Sequence, residues 1–444
     1  MWELYGYFLE DSKHVLIKIH QYQAQSIYNI NMSIVYDVII VGAGPAGMMA
    51  AISAKRGGND VLLLEKNSSP GVKLLLTGKG RCNLTTTREV PDIIEAFGKN
   101  GKFLYGSLSR FSNEDVLEFF ETRGIGLKVE RGQRVFPKSD KSTDILRCLT
   151  KELGNKRVRV LYNILVKSIK KDHDIFEVVA KGDTYKTNNV IIATGGMSYP
   201  HTGSSGDGYK FAKELGHKII SPIPALTPLI SNDKNIPSIS GLSLKNVEIS
   251  FSTNENVFAK EFGEMLFTHK GISGPIVLKC SRQVYEHLNL GEIVKCKIDL
   301  KPRLSKKVLK ERIVREIKEA PKKEYKSLLE KLLPKSLVSY AANLTQIDIH
   351  KQGSTLTSRQ MGSLINFLKD FQITIERVES IKRAIVTHGG VDIKEIDPKT
   401  MQSKIVEGLY FAGEIICLDG PTGGYNLTKA FSTGHVAGQF STFD

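Results

Sequence analysis

The chain has 444 residues, 41% of them hydrophobic and 25% charged, with a formal net charge of +15 at pH 7. This length predicts two or three domains, and the composition excludes a disordered or fibrous protein. No uninterrupted apolar run is long enough to cross a bilayer, so we expect no membrane segment.

The first 31 residues carry acidic and basic side chains from the start and lack the apolar segment of a secretory signal. We therefore expect a cytoplasmic protein and interpret residues 1–31 as an appendage of uncertain structure in front of Met32. The cysteines form no C-x-x-C pair, which argues against a disulfide scaffold or a zinc site, and no metal is expected. They are Cys82, Cys148, Cys280, Cys296 and Cys417.

A strand, a glycine-rich turn, a helix and a second strand are predicted next. The apolar run Tyr36–Val41 is typical of a parallel strand covered on both faces. The turn that follows fits G-x-G-x-x-G, and the second strand, Val61–Leu64, ends at the acidic Glu65, followed by Lys66. The motif comprises Gly42, Ala43, Gly44, Pro45, Ala46 and Gly47.

This context makes the motif specific for a dinucleotide. The glycines allow a tight turn and close approach of a diphosphate to the helix N-terminus. Glu65 suits ribose hydroxyls and disfavours a 2'-phosphate, which predicts the ADP half of FAD or NAD rather than NADP.

The stretch "KLLLTGKGRCNLTTT", Lys73 to Thr87, superficially resembles a nucleotide phosphate loop. Six residues separate Gly71 from Gly78, and Gly80 stands where a magnesium-binding hydroxyl is required, so the ATPase interpretation fails on spacing.

The predicted secondary structure changes twice in the middle of the chain. Ser142 and Thr143 are predicted to cap an amphipathic helix, and a meander of strands then ends in Ala193, Thr194 and Gly195, which places backbone near a ligand. Short β runs between residues 221 and 300 predict a small antiparallel barrel or sandwich. Residues 303–370 have a helical pattern, with Ser305 as a cap.

The charge excess is concentrated in this helical part. Between Lys301 and Lys335 there are 13 Lys and Arg against 5 Glu, which leaves +8. Only Tyr325 is interleaved as an aromatic residue, whereas base stacking needs several. We interpret the run as a solvated helical face and do not expect a nucleic-acid partner.

The chain ends with a predicted strand, Gly408–Ala412, the dipeptide Gly413-Glu414, a glycine-rich loop and a helix from about Asn426. The nucleotide domain is therefore predicted to be split. The expected boundaries are 32–220 for its first part, 221–302 for the barrel, 303–370 for the helical subdomain, 371–380 for the return of the insertion and 381–444 for the second part.

Several ordered motifs resemble the FAD-binding flavoproteins of the aminoacetone oxidase family, whose relatives include bile-acid dehydro-steroid reductases. The motifs are "GAGPAG", "TGKGRCNLT", "RVFPKS", "ATGGMSYPHTGSSGDGYKFAKELGH", "MLFTHKGISGP", "VTHGGV" and "GLYFAGEIICLDGPTGGYNLTKAFSTG". The resemblance implies an α/β fold: a split, glutathione-reductase-like Rossmann domain for FAD, interrupted by a β-barrel insertion that carries a helical subdomain.

The resemblance also implies further flavin-binding residues in the second flavin loop and around the closing helix. The loop residues are Lys73, Thr77, Gly78, Gly80, Arg81, Cys82 and Asn83. Those near the closing helix are Gly413, Glu414, Gly424, Tyr425 and Asn426, and by analogy Val166 lines the adenine pocket. A helix starting near Asn426 would direct its positive end at the flavin pyrimidine.

The sequence does not single out a catalytic acid. Candidates for binding a small organic substrate or transferring a proton are Tyr199, His201, His269, His388 and Tyr425. Because only one dinucleotide motif is present, NAD(P)H would bind transiently at the flavin face, between the FAD domain and the insertion. An oxidase, an NAD(P)H-dependent reductase of unsaturated carbonyl or steroid-like compounds, and an RNA-associated flavin-binding module remain open.

Overall fold

The computed structural model describes residues 35–56 and 58–442. The predicted appendage, residues 1–31, lies outside these ranges. No helix in the described part of the chain combines the length and apolar character needed to span a membrane.

The strands are numbered in chain order. They are β1 Val35–Val41, β2 Val61–Leu64, β3 Thr85–Thr86, β4 Leu127–Glu130, β5 Arg134–Pro137, β6 Arg159–Leu161, β7 Val166–Asp172, β8 Ile175–Ala180, β9 Thr184–Ile192, β10 Ile219–Ala225, β11 Leu229–Ser231, β12 Ser243–Thr253, β13 Asn256–Thr268, β14 Gly271–Ser273, β15 Val294–Asp299, β16 Phe371–Val378, β17 Val386–Val391 and β18 Leu409–Phe411.

The α-helices are numbered in the same way. They are α1 Pro45–Ala54, α2 Val72–Leu76, α3 Val90–Ala96, α4 Tyr105–Leu108, α5 Asn113–Glu121, α6 Ser142–Asn155, α7 Asp207–Glu214, α8 Pro275–Asn289, α9 Lys306–Glu319, α10 Tyr325–Leu332, α11 Lys335–Thr345, α12 Ser358–Lys369 and α13 Tyr425–Phe440.

A seven-stranded sheet forms the nucleotide-binding half, with strand order β6-β2-β1-β9-β8-β7 and β18 paired to β9. The pairs β1–β2, β1–β9, β2–β6 and β9–β18 are parallel, whereas β7, β8 and β9 form the antiparallel meander expected from the sequence. The first two strands are joined through α1, as the sequence predicted. The carboxyl ends of β1, β9 and β18 therefore meet at one sheet edge.

A closed antiparallel barrel, β11-β14-β13-β12-β15-β16, forms the second unit. The chain leaves the barrel after β15, makes α9 to α12 and returns as β16. Its buried residues form a hydrophobic cluster separate from that of the main sheet. This confirms the predicted fold class, a Rossmann-type domain interrupted by a barrel with helices; the exact domain boundaries stay a prediction.

Two local expectations were wrong. Ser142 is the first residue of α6 and not its cap, because its hydroxyl donates to Leu75 O at 3.0 Å instead of serving the helix end. Residues 275–289, within the part expected to be β-rich, form α8, whose buried face includes Ile276, Cys280 and Val284. In contrast, Ser305 caps α9, accepting from Val308 N.

The last helix packs on the first with almost no space between them. A Cβ added at Gly434 would lie 2.3 Å from Ala46 O, and one added at Gly438 would lie 2.1 Å from Ala50 O. These glycines let two backbones approach at a distance that any side chain would prevent.

We expect Gly438→Ala to lower the free energy of unfolding by about 1–3 kcal/mol, because the added methyl meets backbone rather than a flexible side chain. The matched control is Gly362→Ala in α12, where a Cβ meets nothing within 4 Å. It should be neutral or stabilising by up to about 1 kcal/mol through helix propensity. Urea unfolding measures both; equal stability of the two variants would contradict the described helix contact.

Candidate functional site

The turn from β1 into α1 has the geometry of an anion site. Gly42 has φ +102°, and a Cβ at Gly47 would lie 1.8 Å from Gly42 O. A Cβ at Gly44, the N-cap of α1, would meet nothing within 4 Å. There is therefore open space beside the N-cap of α1, as close approach of a diphosphate to a helix N-terminus requires.

Glu65 closes this turn at the end of β2. Its side chain is buried and accepts hydrogen bonds from Ala43 N and Asn67 N, both at 2.8 Å. The adjacent Lys66 forms an ion pair with Asp207 at 2.6 Å and contacts Ser205. The Glu65 carboxylate is thus fixed at the sheet edge, whereas the Lys66 ammonium is already engaged.

The second loop, residues 77–83, has an unusual backbone. Gly78, Lys79, Gly80 and Cys82 all have φ between +58° and +86°. Thr77 donates its hydroxyl to Leu74 O at 2.6 Å, which ends α2. Lys79 is thus a non-glycine residue in the left-handed region, a strained conformation typical of functional loops.

The Arg81 side chain is held by protein and not left free. It donates to Asp140 at 2.7 Å, forms an ion pair with Glu130 and lies 4.2 Å from the centre of the Phe136 ring. The β4–β5 hairpin, which supplies Glu130 and Phe136, thus braces the loop. Arg81 supports the loop through these contacts.

Cys82 and Asn83 differ in their capacity to bind a ligand. Burial raises the pKa of the Cys82 thiol to about 12, so it stays protonated and serves packing. Asn83 Oδ1 is buried without a hydrogen-bond partner among the described residues. A buried amide oxygen without a partner is costly unless a ligand donates to it.

Glu414 lies where four chain segments meet. Oε2 accepts from Lys73 at 2.6 Å, while Oε1 accepts from Thr387 N at 2.9 Å and from Ser198 Oγ at 3.2 Å. Burial alone would raise the pKa of Glu414, but Lys73 and the Thr387 hydrogen bond outweigh it, and the pKa lies below its usual value. Glu414 is therefore an ionised anchor beside Gly413.

The segment after β9 lies against this anchor. Ala193 N donates to Val41 O at 2.9 Å, and Gly195 has φ +77°. A Cβ at Gly196 would lie 2.8 Å from Glu414 Oε1. Thr194 Oγ1 is buried without a partner among the described residues, but it lies beside Gly208, on the interior side of the loop.

The start of α13 completes the site. Gly424 has φ +99°, and a Cβ there would lie 2.4 Å from the backbone of Thr85. Asn426 donates to Gly420 O at 2.7 Å and accepts from Gly420 N at 2.9 Å. Tyr425 is buried with its ring edge-to-face to Phe97. The helix N-terminus is thus fixed behind the second loop.

Most of the predicted cofactor residues converge. Gly71 N donates to Ala43 O at 2.9 Å, and a Cβ at Gly413 would lie 2.7 Å from Ala46 Cβ. The segments 42–47, 65, 71–83, 193–196, 413–414 and 424–426 therefore surround one region. Val166 is buried on β7 in the same hydrophobic cluster as Ala43 and Ala193, and its place beside an adenine stays a prediction.

The catalytic candidates lie on different elements of the fold. Tyr199 and His201 stack edge to face, with His201 exposed, and His269 is exposed in the turn between β13 and β14. His388, in contrast, is half-buried and bonded to Asp419.

Sequence reasoning did not identify Ser198, Thr387, Asp419 and Lys429. Lys429 is 2% exposed, and its ammonium donates to Leu418 O. Burial lowers the pKa of Lys429 to about 8. Its position inside a glycine-rich C-terminal helix was the only available signal.

The described residues fit FAD. Open space lies in front of Gly44, a fixed carboxylate stands at Glu65, and the unpartnered Asn83 Oδ1 is two residues from the Thr85 backbone against which Gly424 packs. These features suit a ligand with a diphosphate, a ribose and a hydrogen-bonding ring system.

Two relatives of known activity align with nearly the whole chain. The chain is 32% identical over 402 residues to the 3-dehydro-bile acid delta(4,6)-reductase of Clostridium scindens, an alignment that covers 90% of this chain and 97% of that protein. It is also 32% identical over 411 residues to the ribosomal RNA dihydrouridine synthase of Escherichia coli, covering 91% and 97% respectively.

A solved structure shares the fold at lower identity. The 3-ketosteroid delta1-dehydrogenase of Sterolibacterium denitrificans superposes with a TM-score of 0.51 and 13% identity, over 92% of this chain and 99% of that one. The model of the HI0933-like protein Rossmann domain matches residues 36–440. The chain therefore belongs to the HI0933-like family and is an FAD-dependent oxidoreductase.

Proposed function

We propose that this oxidoreductase reduces a carbon–carbon double bond conjugated to a carbonyl group. The observation that carries the proposal is that two relatives aligned over nearly the whole chain act on such bonds. One is a delta(4,6)-reductase of a 3-dehydro bile acid, and the other makes dihydrouridine, in which the ring double bond beside a carbonyl has gained two hydrogens. The substrates of the two relatives differ, but the type of bond that is reduced is the same.

FAD, when bound, supplies hydride transfer. The chain's own residues hold and orient it: the α1 N-terminus binds the diphosphate, Glu65 the ribose, and Asn83 and the Gly413–Glu414 segment the remainder. The N-terminus of α13 would favour negative charge on a flavin held there. Lys429, buried in the second turn of that helix, adds a positive charge close to Glu414 and Asp419.

A second candidate function is the same type of reduction with an RNA as the substrate. The excess of +8 between residues 301 and 335 lies on α9, α10 and the neighbouring loops, where Lys307, Lys310 and Lys318 are exposed. This charge, together with the similarity to a ribosomal RNA-modifying enzyme, favours a polyanionic substrate over an interpretation as a solvated face.

The first test addresses the cofactor site. Gly44→Asp should abolish retention of FAD, because it places a side chain and a negative charge in front of the α1 N-terminus. Flavin released by denaturing the purified protein is measured by absorbance. Gly154→Asp makes the same change where a Cβ also meets nothing within 4 Å, in α6, and should retain FAD. Full flavin content in both variants would contradict the site.

The second test addresses the electron donor. Under anaerobic stopped-flow conditions, NADH or NADPH should bleach the flavin absorbance rapidly, since the one dinucleotide motif is assigned to FAD and the nicotinamide would bind transiently at the flavin face. Aminoacetone is tested as a third reductant in the same experiment. Bleaching by aminoacetone alone would favour the narrower aminoacetone oxidase assignment and exclude the reductase.

The third test addresses RNA. The triple variant Lys307→Glu, Lys310→Glu, Lys318→Glu should weaken binding of a ribosomal RNA transcript. It should also reduce the slope of log affinity against log salt by about 0.7–0.9 for each phosphate that the variant no longer neutralises. A control triple variant changes the exposed Lys99, Lys102 and Lys151 to Glu. Equally weakened binding in both variants, or no binding by the unmodified protein at low salt, would count against an RNA substrate.

A further inference from the structure

Three separate chain segments place a histidine, a carboxylate and a guanidinium together. His388 lies on β17, Asp419 precedes α13, and Arg282 is on α8 of the barrel insertion. His388 Nδ1 is hydrogen-bonded to Asp419 Oδ1. Arg282 Nη1 lies 3.3 Å from Nδ1 and 3.8 Å from Oδ1. Because Arg282 and a protonated Nδ1 are both donors, they share Asp419 as their acceptor.

The carboxylate of this cluster is permanently charged near neutral pH. Burial alone would raise the pKa of Asp419, but the hydrogen bond from His388 and the charges of His388, Arg282 and Lys429 outweigh it, and the pKa lies below its usual value. The Asp419 side chain is only 10% exposed. A buried, ionised carboxylate at Nδ1 fixes both the tautomer and the orientation of the imidazole.

The other ring nitrogen is available. No described residue forms a hydrogen bond with His388 Nε2, and the side chain is 20% exposed. One nitrogen is thus anchored and the opposite one is open, the arrangement of a histidine that transfers protons. The other charged or titratable groups around the cluster are Lys429, Cys417 and, beside Cys417, Asp392.

The cluster adjoins residues that we propose hold FAD. Thr387, next to His388, donates its backbone N–H to Glu414 at 2.9 Å. Asp419 lies in the short segment between Glu414 and the N-terminus of α13. We propose that Glu414 and the N-terminus of α13 both hold the cofactor. His388 therefore lies between the proposed cofactor site and the barrel insertion, which supplies Arg282.

We propose that His388 Nε2 donates the proton that completes reduction of the conjugated double bond, and that Asp419 is its positioning residue. The proposal rests on the function proposed above. The double bond gains a hydride at the carbon β to the carbonyl, supplied when reduced FAD is bound, and its π electrons pass to the carbonyl as an enolate. The α-carbon then takes the Nε2 proton. His388 is left neutral with its proton on Nδ1 and recovers the other from solvent, while a reduced nicotinamide restores the flavin.

The first measurement is independent of turnover. A proton held between an imidazole Nδ1 and a carboxylate gives a far-downfield resonance in a one-dimensional proton NMR spectrum. We expect this resonance in the purified protein and in His173→Gln, a control at an exposed histidine. It should be absent from His388→Gln and Asp419→Asn. A spectrum without it in the unmodified protein would overturn the pairing.

The second measurement separates the proton step from cofactor binding. Each holoprotein is reduced anaerobically with dithionite, and reoxidation of its flavin is followed after adding a 3-dehydro-4,6-diene bile acid or a ribosomal RNA transcript. In His388→Gln and Asp419→Asn we expect normal flavin content but reoxidation slower by about 10²–10⁴-fold. Added imidazole should partly restore the rate of His388→Ala, which a merely structural role would not allow.

The outcomes distinguish the two proposals. If the unmodified protein is reoxidised and the His388 variants match it, the proton donor is elsewhere, while the reductase function stands. If neither probe reoxidises the unmodified protein, the proposed function fails and no reduction remains for His388 to complete. Slow reoxidation that imidazole restores supports both.

Discussion

The Glu414 carboxylate is the interaction on which the candidate site depends. It receives an ammonium from Lys73, a hydroxyl from Ser198 and a backbone N–H from Thr387, and these residues come from three different parts of the chain. Removing this half-buried carboxylate would leave the half-buried Lys73 without its counter-charge, which costs more than the ion pair itself contributes. The same side chain therefore fixes the relative positions of the loops after β2 and β9 and of strand β17.

Local motifs were predictable because their physical causes are local. Gly42, Gly44 and Gly47 follow a buried strand and open a helix, so spacing alone places them at the sheet edge. The helix stripes of residues 303–370 and the cap at Ser305 were predictable for the same reason. Helix α8 could have been found too, since Ile276, Cys280 and Val284 repeat at helical spacing within the part assigned to strands.

Long-range partners were not predictable. The sequence indicates that Arg81 belongs to the second loop, but Glu130 and Asp140 are 49 and 59 residues away and reach it only once the hairpin has folded. Lys429 is of a residue type that usually lies at the surface, and only the packing of α13 shows that it is buried. For the same reason His388 was one of several histidine candidates until Asp419 was seen beside it.

The contact between α1 and α13 has a consequence for the order in which the protein matures during synthesis. Thr442 donates to Ala54 O across 388 positions, and Gly438 packs against Ala50. Among the described residues, α1 is therefore synthesised well before α13, the helix on which it packs. The barrel and its helices, which lie between, have their own core and can fold earlier. Until α13 has been synthesised, the surface of α1 that it covers has no partner, and that surface is where a nascent chain would benefit from a chaperone.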